Sequence, residues 1–245
     1  MGESESRVIL FDDVSAGTFL DAFRFIGDNG QLIWDKTVEQ LALSGAALGV
    51  AIAIAIPIGV LLGHWHRGSF IAINVSNIGR ALPSLAVIAI GISIFGISFT
   101  NVMFALVVLA VPPMLTNAYV AVDEVDRDVV QAARGMGMRE HDVLFRVELP
   151  LSTALIFAGI RTAAVYVVST ATIAAIAGGG GLGDIIVNQA SYRFEGVLGA
   201  AYCVAALALL ADFSLGGVQR LLSPRGLRRR PVVDPEVATA QAFGH

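Results

Sequence analysis

The sequence predicts an all-α polytopic membrane protein with about five transmembrane helices, and three observations carry that prediction. Composition is the first: hydrophobic residues make up 56% of the 245 residues, charged ones only 15%, and the mean hydropathy is +0.74. Soluble domains carry roughly 25% charged residues, so a water-facing surface cannot be built from this chain. The second is the pattern of runs. Ala81 to Val122 holds no charge, and Leu149 to Ala177 is broken only by Arg161. The third is the segment between them, Gln131 to Pro150, a charged interruption that must lie outside the hydrocarbon.

Residues 1–38 read as an N-terminal polar segment. Carboxylates outnumber basic residues there, and a basic stretch leading directly into an apolar core, as a cleavable signal requires, is not found. Phe19, Leu20, Phe23, Phe25, Ile26, Leu32, Ile33 and Trp34 give this segment a partly amphipathic stretch. It is predicted to lie along the bilayer as an interfacial helix, with Trp34 at headgroup depth.

Residues 39–222 read as one transmembrane domain. Leu41 to Gly63 has no charge and is long enough for about 30 Å of hydrocarbon at about 1.5 Å per residue. Its small residues suit close helix packing, and Pro57 predicts a kink. His64 and His66, two apart with no carboxylate nearby, do not share a helix face and read as membrane-edge residues rather than metal ligands. A second span is expected from about Phe70 to Phe95, with Arg80 snorkelling or facing the interior. The third runs from Asn101 to about Val122 and is expected to be interrupted at Pro112 and Pro113. The fourth covers Leu149 to Ala177, and the fifth Gly196 to about Gly217, with Asp212 near its end.

The run Gly178 to Gly183 lacks the preceding strand and the Gly-Lys-Ser/Thr ending of a phosphate loop, so it reads as a turn closing the fourth helix. Residues 223–245 are predicted to be a disordered tail, with Arg228, Arg229 and Arg230 placed to meet anionic headgroups. The lone Cys203 excludes an intramolecular disulfide.

Within the charged loop, residues 123–150, apolar positions recur at helical spacing: Val130, Ala133, Met136 and Gly137, then Val143, Leu144 and Val147. Two short amphipathic helices hinged at Gly137 are expected, each burying one face against headgroups or a protein groove. Gln131-Ala132-Ala133, Gly137, and Val147-Glu148-Leu149-Pro150 keep the spacing of a known motif. The segment resembles the EAA loop of ATP-binding-cassette (ABC) importer permeases, with Gln131 where that family has Glu and Val147 where it has Ile. Leu82-Pro83-Ser84-Leu85-Ala86, Pro113 to Tyr119, Gly159 to Ala164 and Thr170-Ala171-Thr172 leading into Gly179 to Gly183 resemble the osmoprotectant subfamily. Methionine-type permeases share the EAA loop and the Gly-Gly-Leu-Gly turn and are the nearest rival.

The resemblance implies a type I ABC importer permease fold in a bacterial or archaeal cell membrane, with uptake of glycine betaine, choline, carnitine or proline-like solutes. It implies ATPase subunits as partners, a second permease copy or related permease, and an external solute-binding protein. The coupling helix would dock on the ATPase through Gln131, Ala132, Ala133, Arg134, Gly137, Val147, Leu149 and Pro150, with Pro150 restarting a helix at the membrane. A cytoplasmic EAA loop places the N-terminus outside and the C-terminus inside. Arg67, Arg127, Arg134, Arg139, Arg146, Arg220, Arg225, Arg228, Arg229 and Arg230 then fall inside, and only Arg7, Arg24, Lys36 and Arg193 outside, as the positive-inside rule asks.

Tyr166, Asn117 and Tyr119 are the candidate translocation-path residues; an aromatic face suits a quaternary ammonium, although each also reads as a packing residue. Arg161 is expected to bond carbonyls or a carboxylate near the inner face. No catalytic residue, cofactor, metal or nucleic-acid partner is expected. An intramembrane enzyme would need a constellation that Arg80, Arg161 and Asp212 do not form, and a channel or scaffold would need no ATPase.

Overall fold

A computed structural model of the chain describes residues 16–66 and 69–222; the side chains of residues 16–19, 69, 71–73 and 80 lie outside that description. So do the terminal segment 1–15 and the 223–245 tail with its arginine cluster, and the expectations for Arg67 and for the Arg80 side chain fall outside it too.

Helix follows helix. An amphipathic α1 (Ala16–Asp28) leads into α2 (Gly30–His64), which carries the first apolar run. Next come α3 (Ser69–Ala81), α4 (Ser84–Phe95) and α5 (Phe99–Asp123). Then α6 (Arg127–Gly135) and α7 (Glu140–Val143) form the charged interruption. A π-helical segment (Leu144–Glu148) joins α7 to α8 (Leu149–Ala174), and a 3-10 turn (Ala175–Ala177) ends it. The chain closes with α9 (Leu182–Val187) and α10 (Gln189–Leu222).

Among the described residues, four stretches are long and apolar enough to cross a membrane: Gly30–His64, Phe99–Asp123, Glu140–Ala177 and Gln189–Leu222. The remaining expected span, Phe70 to Phe95, is not one helix. It is broken between α3 and α4 at Leu82-Pro83, where Pro83 takes extended backbone (φ −66°, ψ 127°) before α4. Proline without an N–H cannot continue the ladder of α3 and instead opens α4, its carbonyl accepting from Ala86 and Val87.

The opposite outcome holds at Pro112 and Pro113, and at Pro57: α5 and α2 continue across them without a break. The interruption expected in α5 does not occur. A neighbour supports it from outside, α3 pressing Gly79 against the Pro112 ring, and within α5 the Asn117 amide donates to the Pro113 carbonyl at 2.7 Å.

Helix α5 is the centre, packed against α2, α8, α3 and α4. Val102, Leu106 and Met114 are fully buried on it. The approach of α2 to α5 is set by glycines. A Cβ on Gly59 would lie 2.7 Å from the Leu115 oxygen, and one on Gly63 2.7 Å from the Tyr119 oxygen. Small residues let the two backbones touch where lipid supplies no hydrophobic drive between helices.

The amphipathic α1 packs on α10, with Phe23 stacked on Tyr202 at 5.3 Å between centroids. Trp34 belongs to α2, not to that helix, and is well exposed. Helix α10 bends at Arg193, whose φ of 55° is non-helical. The glycine run is a turn, as expected. Gly178 ends the 3-10 turn in the left-handed region, and Gly180 and Gly181 pack against Glu39 and Gln40 of α2. Lys36 holds that corner, with Nζ 2.6 Å from Asp184 and 2.9 Å from Glu39.

Candidate functional site: a helical hairpin beneath a membrane cavity

The charged interruption folds as a helical hairpin with a core of its own. Asp126 caps α6 by accepting from the Asp128 N–H at 2.9 Å, and α6 places Val130 and Ala133 on its inner face. The helix ends in a Schellman turn: Met138 N–H donates to Ala133 O at 3.3 Å and Gly137 N–H to Arg134 O at 2.9 Å. Gly137 supplies the φ of +85° this turn needs. The chain reverses, and Val130, Ala133 and Val143 close on one another with Val125, Met138 and Val147 around them. The hinge at Gly137 is therefore where spacing placed it.

The second half departs from expectation. Pro150 stands in the first turn of α8, as expected, but the chain does not leave the helix before it: α7, the π segment and α8 form one continuous helical stretch from Glu140 to Ala177. The wide π turn, with Leu149 N–H donating back to Leu144 O, lies just ahead of Pro150. Such a turn shifts the side-chain register by one residue and relieves the crowding a proline imposes on the preceding turn. The hairpin is thus continuous with α8 through the π segment.

Of the motif residues, Gln131, Ala132, Arg134 and Gly137 are exposed, Val147, Leu149 and Pro150 are half-buried, and Ala133 is buried against Val143. Ala133 therefore packs inside its own hairpin rather than seating the helix in a groove. The exposed large apolar side chains of the hairpin are Met136 at 78%, Phe145 at 64% and Val129 at 43%. Met136 was expected on the inner apolar face, but it lies at the helix end, where the Schellman turn carries it outward. Phe145 gave no sequence signal; the π turn exposes it.

The two histidines were misread from sequence. His64 Nδ1 lies 2.6 Å from Oε2 of Glu148, and His66 Nδ1 lies 2.6 Å from Oδ1 of Asp123. Each has a carboxylate partner from a distant part of the chain. Among the described residues no group of three or more His, Cys, Asp or Glu side chains comes together in an arrangement that could hold a metal ion.

Above the hairpin, α3, α5 and α8 line a cavity of about 700 Å³ that is open on one side. Asn117 and Tyr166 line it with Ser76, Thr116, Thr162 and Ser169, and none of its described lining residues is charged. Tyr119 does not reach it. Two residues on from Asn117, it points to the other face of α5 and is buried in the core toward α2. Arg161 has the expected structural partner: Nε and Nη2 reach the Asp212 carboxylate at 2.8 and 2.6 Å, and Gln219 stands alongside.

Known proteins match this arrangement. The model of the family described as binding-protein-dependent transport system inner membrane component matches residues 55–227. The chain belongs to that family. It is 37% identical over 205 residues to the carnitine transport permease protein OpuCB of Listeria monocytogenes, covering 83% of this chain and 94% of that one. It is 35% identical over 207 residues to the choline transport system permease protein OpuBB of Bacillus subtilis, covering 84% and 95%. In structure it resembles a chain of the MetNI methionine ABC transporter in an inward-facing conformation, with a TM-score of 0.68 at 20% identity, covering 79% of this chain and 97% of that one. At that identity the likeness concerns the fold. This permease fold is therefore membrane-spanning, all-helical, and shared with ABC importers.

Proposed function

We propose that the chain is the translocating subunit of an ATP-driven importer for osmoprotectants, small quaternary ammonium or zwitterionic solutes such as glycine betaine, choline, carnitine or proline. The observation that carries the solute class is the likeness to the carnitine and choline permeases across more than four-fifths of the chain. The cavity supports it. Its described walls offer hydroxyls, an amide and the Tyr166 ring without a fixed charge, which suits a solute that carries its own compensated charge or a diffuse cation.

Hydrolysis belongs to a separate ATPase, which receives the hairpin on its Gln131, Ala132, Met136 and Phe145 side. An external binding protein delivers the solute, and a second copy or a related permease closes the open side of the cavity. With the hairpin cytoplasmic and the α3–α4 pair counted as one crossing, the N-terminus lies outside and the C-terminus inside the cell membrane. The fold of the methionine transporter is shared, but the relatives in sequence carry osmoprotectant names, so the methionine reading is set aside.

The test is uptake of radiolabelled glycine betaine, choline and carnitine in cells holding the whole system, with and without this chain. Uptake of one of them lost on deletion and restored by the intact gene supports the proposal. Uptake of all three unchanged, with methionine uptake lost instead, overturns the solute class and leaves the importer.

A further inference from the structure

Beyond the hairpin's direct continuation into α8, a second connection leaves the coupling segment, and it runs through His64. This residue closes the cytoplasmic-side end of α2 and is buried, as is Glu148, which is only 1% exposed. The ring and the carboxylate meet at 2.6 Å across 84 residues of sequence. On the other edge of the ring, Nε2 faces Oε2 of Glu140 at 3.6 Å, and that same oxygen accepts from Arg134 at 2.9 Å. A line of polar contacts therefore passes from Arg134 on α6, through Glu140 on α7, to His64 on α2 and on to Glu148 in the π segment. Two residues further, His66 grips Asp123 at the end of α5 at 2.6 Å.

A buried, hydrogen-bonded carboxylate is costly to leave without its partner, so this geometry is held rather than sampled. The π turn is what aims Glu148 inward. A regular α-helix through residues 144–148 would turn the side chains that follow by about 100° relative to those before it. The other end of the connection is rigid as well. Gly59 and Gly63 seat α2 directly on the backbone of α5, whose Pro113, Thr116 and Asn117 line the cavity. Tyr166 and Thr162 on the facing wall belong to α8.

We infer that His64 is a positioning residue that ties α2 to the hairpin, so that one docking event moves α2, and the α5 face seated on it, together with α8. Without the bond the hairpin still docks and still pushes α8 and, through residues 124–126, the end of α5, but α2 no longer follows. This inference rests on the reading of the chain as an ATPase-coupled permease.

The experiment uses vesicles holding the complete transporter, permease, ATPase and binding protein, and measures solute taken up per ATP hydrolysed. His64→Ala is expected to lower that ratio about fivefold or more, the size of an ordinary coupling energy between sites, while the ATPase stays bound. His64→Asn places an amide nitrogen near the position of Nδ1 and is expected to return the ratio toward wild type. The double variant His64→Ala/Glu148→Ala is expected to be no worse than His64→Ala, because the two side chains act as one unit. Where Glu148→Ala does not reach the membrane, Glu148→Gln keeps the shape and one hydrogen bond, and with His64→Asn carries the comparison. Uptake and hydrolysis falling in equal proportion in His64→Ala, or a ratio equal to wild type, overturns the inference alone. Wild-type vesicles without any ATP-driven uptake overturn the permease reading and this inference with it.

Discussion

Arg161 and Asp212 form a two-pronged ion pair inside the membrane-spanning part of the protein, joining α8 to α10 with both carboxylate oxygens engaged, at 2.8 and 2.6 Å. Gly216 lies against the guanidinium, and the Gln219 amide donates to the Ala154 carbonyl one turn further down at 2.8 Å. A cation in a membrane helix is tolerated when it is paired in this way. Removing one partner strands the other. Asp212→Ala and Arg161→Ala are therefore each expected to lower the thermal unfolding midpoint in detergent more than the double variant Arg161→Ala/Asp212→Ala does. A double variant that melts below both single ones would contradict this.

The contact of α2 with α5 makes a prediction with its own control. Gly59→Ala puts a methyl 2.7 Å from Leu115 O and Ala118 Cβ, and the helices must separate, costing about 1–3 kcal/mol. Gly45, on the same helix, has nothing within 4 Å of a new Cβ. Gly45→Ala is expected to be neutral or slightly stabilising, since alanine is the better helix former. Midpoints of thermal unfolding separate the two.

At Gly137 there is space for a side chain but a backbone that L-residues resist, with φ at +85°. Gly137→Ala should cost about 1 kcal/mol and Gly137→Asn less, because asparagine tolerates the left-handed region. Gly137→Asp should likewise reach the membrane folded, yet put a charge on the exposed turn between the docking helices. Its solute uptake is expected to fall well below wild type while the protein stays in the membrane. Normal uptake by Gly137→Asp would remove the hairpin from the coupling role.

Tyr166 and Tyr119 should respond differently. Tyr166 lines the cavity and is partly exposed, so Tyr166→Ala should raise the solute concentration needed for half-maximal uptake with little loss of folded protein. Tyr119 is buried in the core, and Tyr119→Ala should cost about 3 kcal/mol or more. Yield and melting of the two variants, set beside their uptake curves, check the assignment.

Local chemistry made much of this legible. The apolar runs gave the long helices, and the motif spacing with Gly137 gave the hairpin turn, because a left-handed glycine after an amphipathic stretch is a local signal. What stayed hidden depends on distant parts of the chain. Pro83 breaks its helix while Pro112 and Pro113 do not, and the packing of Gly79 from α3 on Pro112 is a contact between segments far apart in sequence that separates the cases. His64 and His66 looked unpartnered because their carboxylates come from Glu148 and Asp123, far along the sequence. Asn117 and Tyr119 were both candidates for the path, yet two residues apart on a helix face nearly opposite ways. The π turn has no sequence signature beyond the Pro150 that follows it.

The central claim is that a separate ATPase drives solute through this chain by way of the hairpin. Its most direct measurement is uptake of radiolabelled osmoprotectant into vesicles containing this chain, assayed with and without the ATPase subunit and ATP. Accumulation only when ATPase and ATP are both present, and lost in Gly137→Asp, is the predicted result. Solute entering at the same rate without the ATPase, or without ATP, would mark the chain as a passive channel and contradict the account.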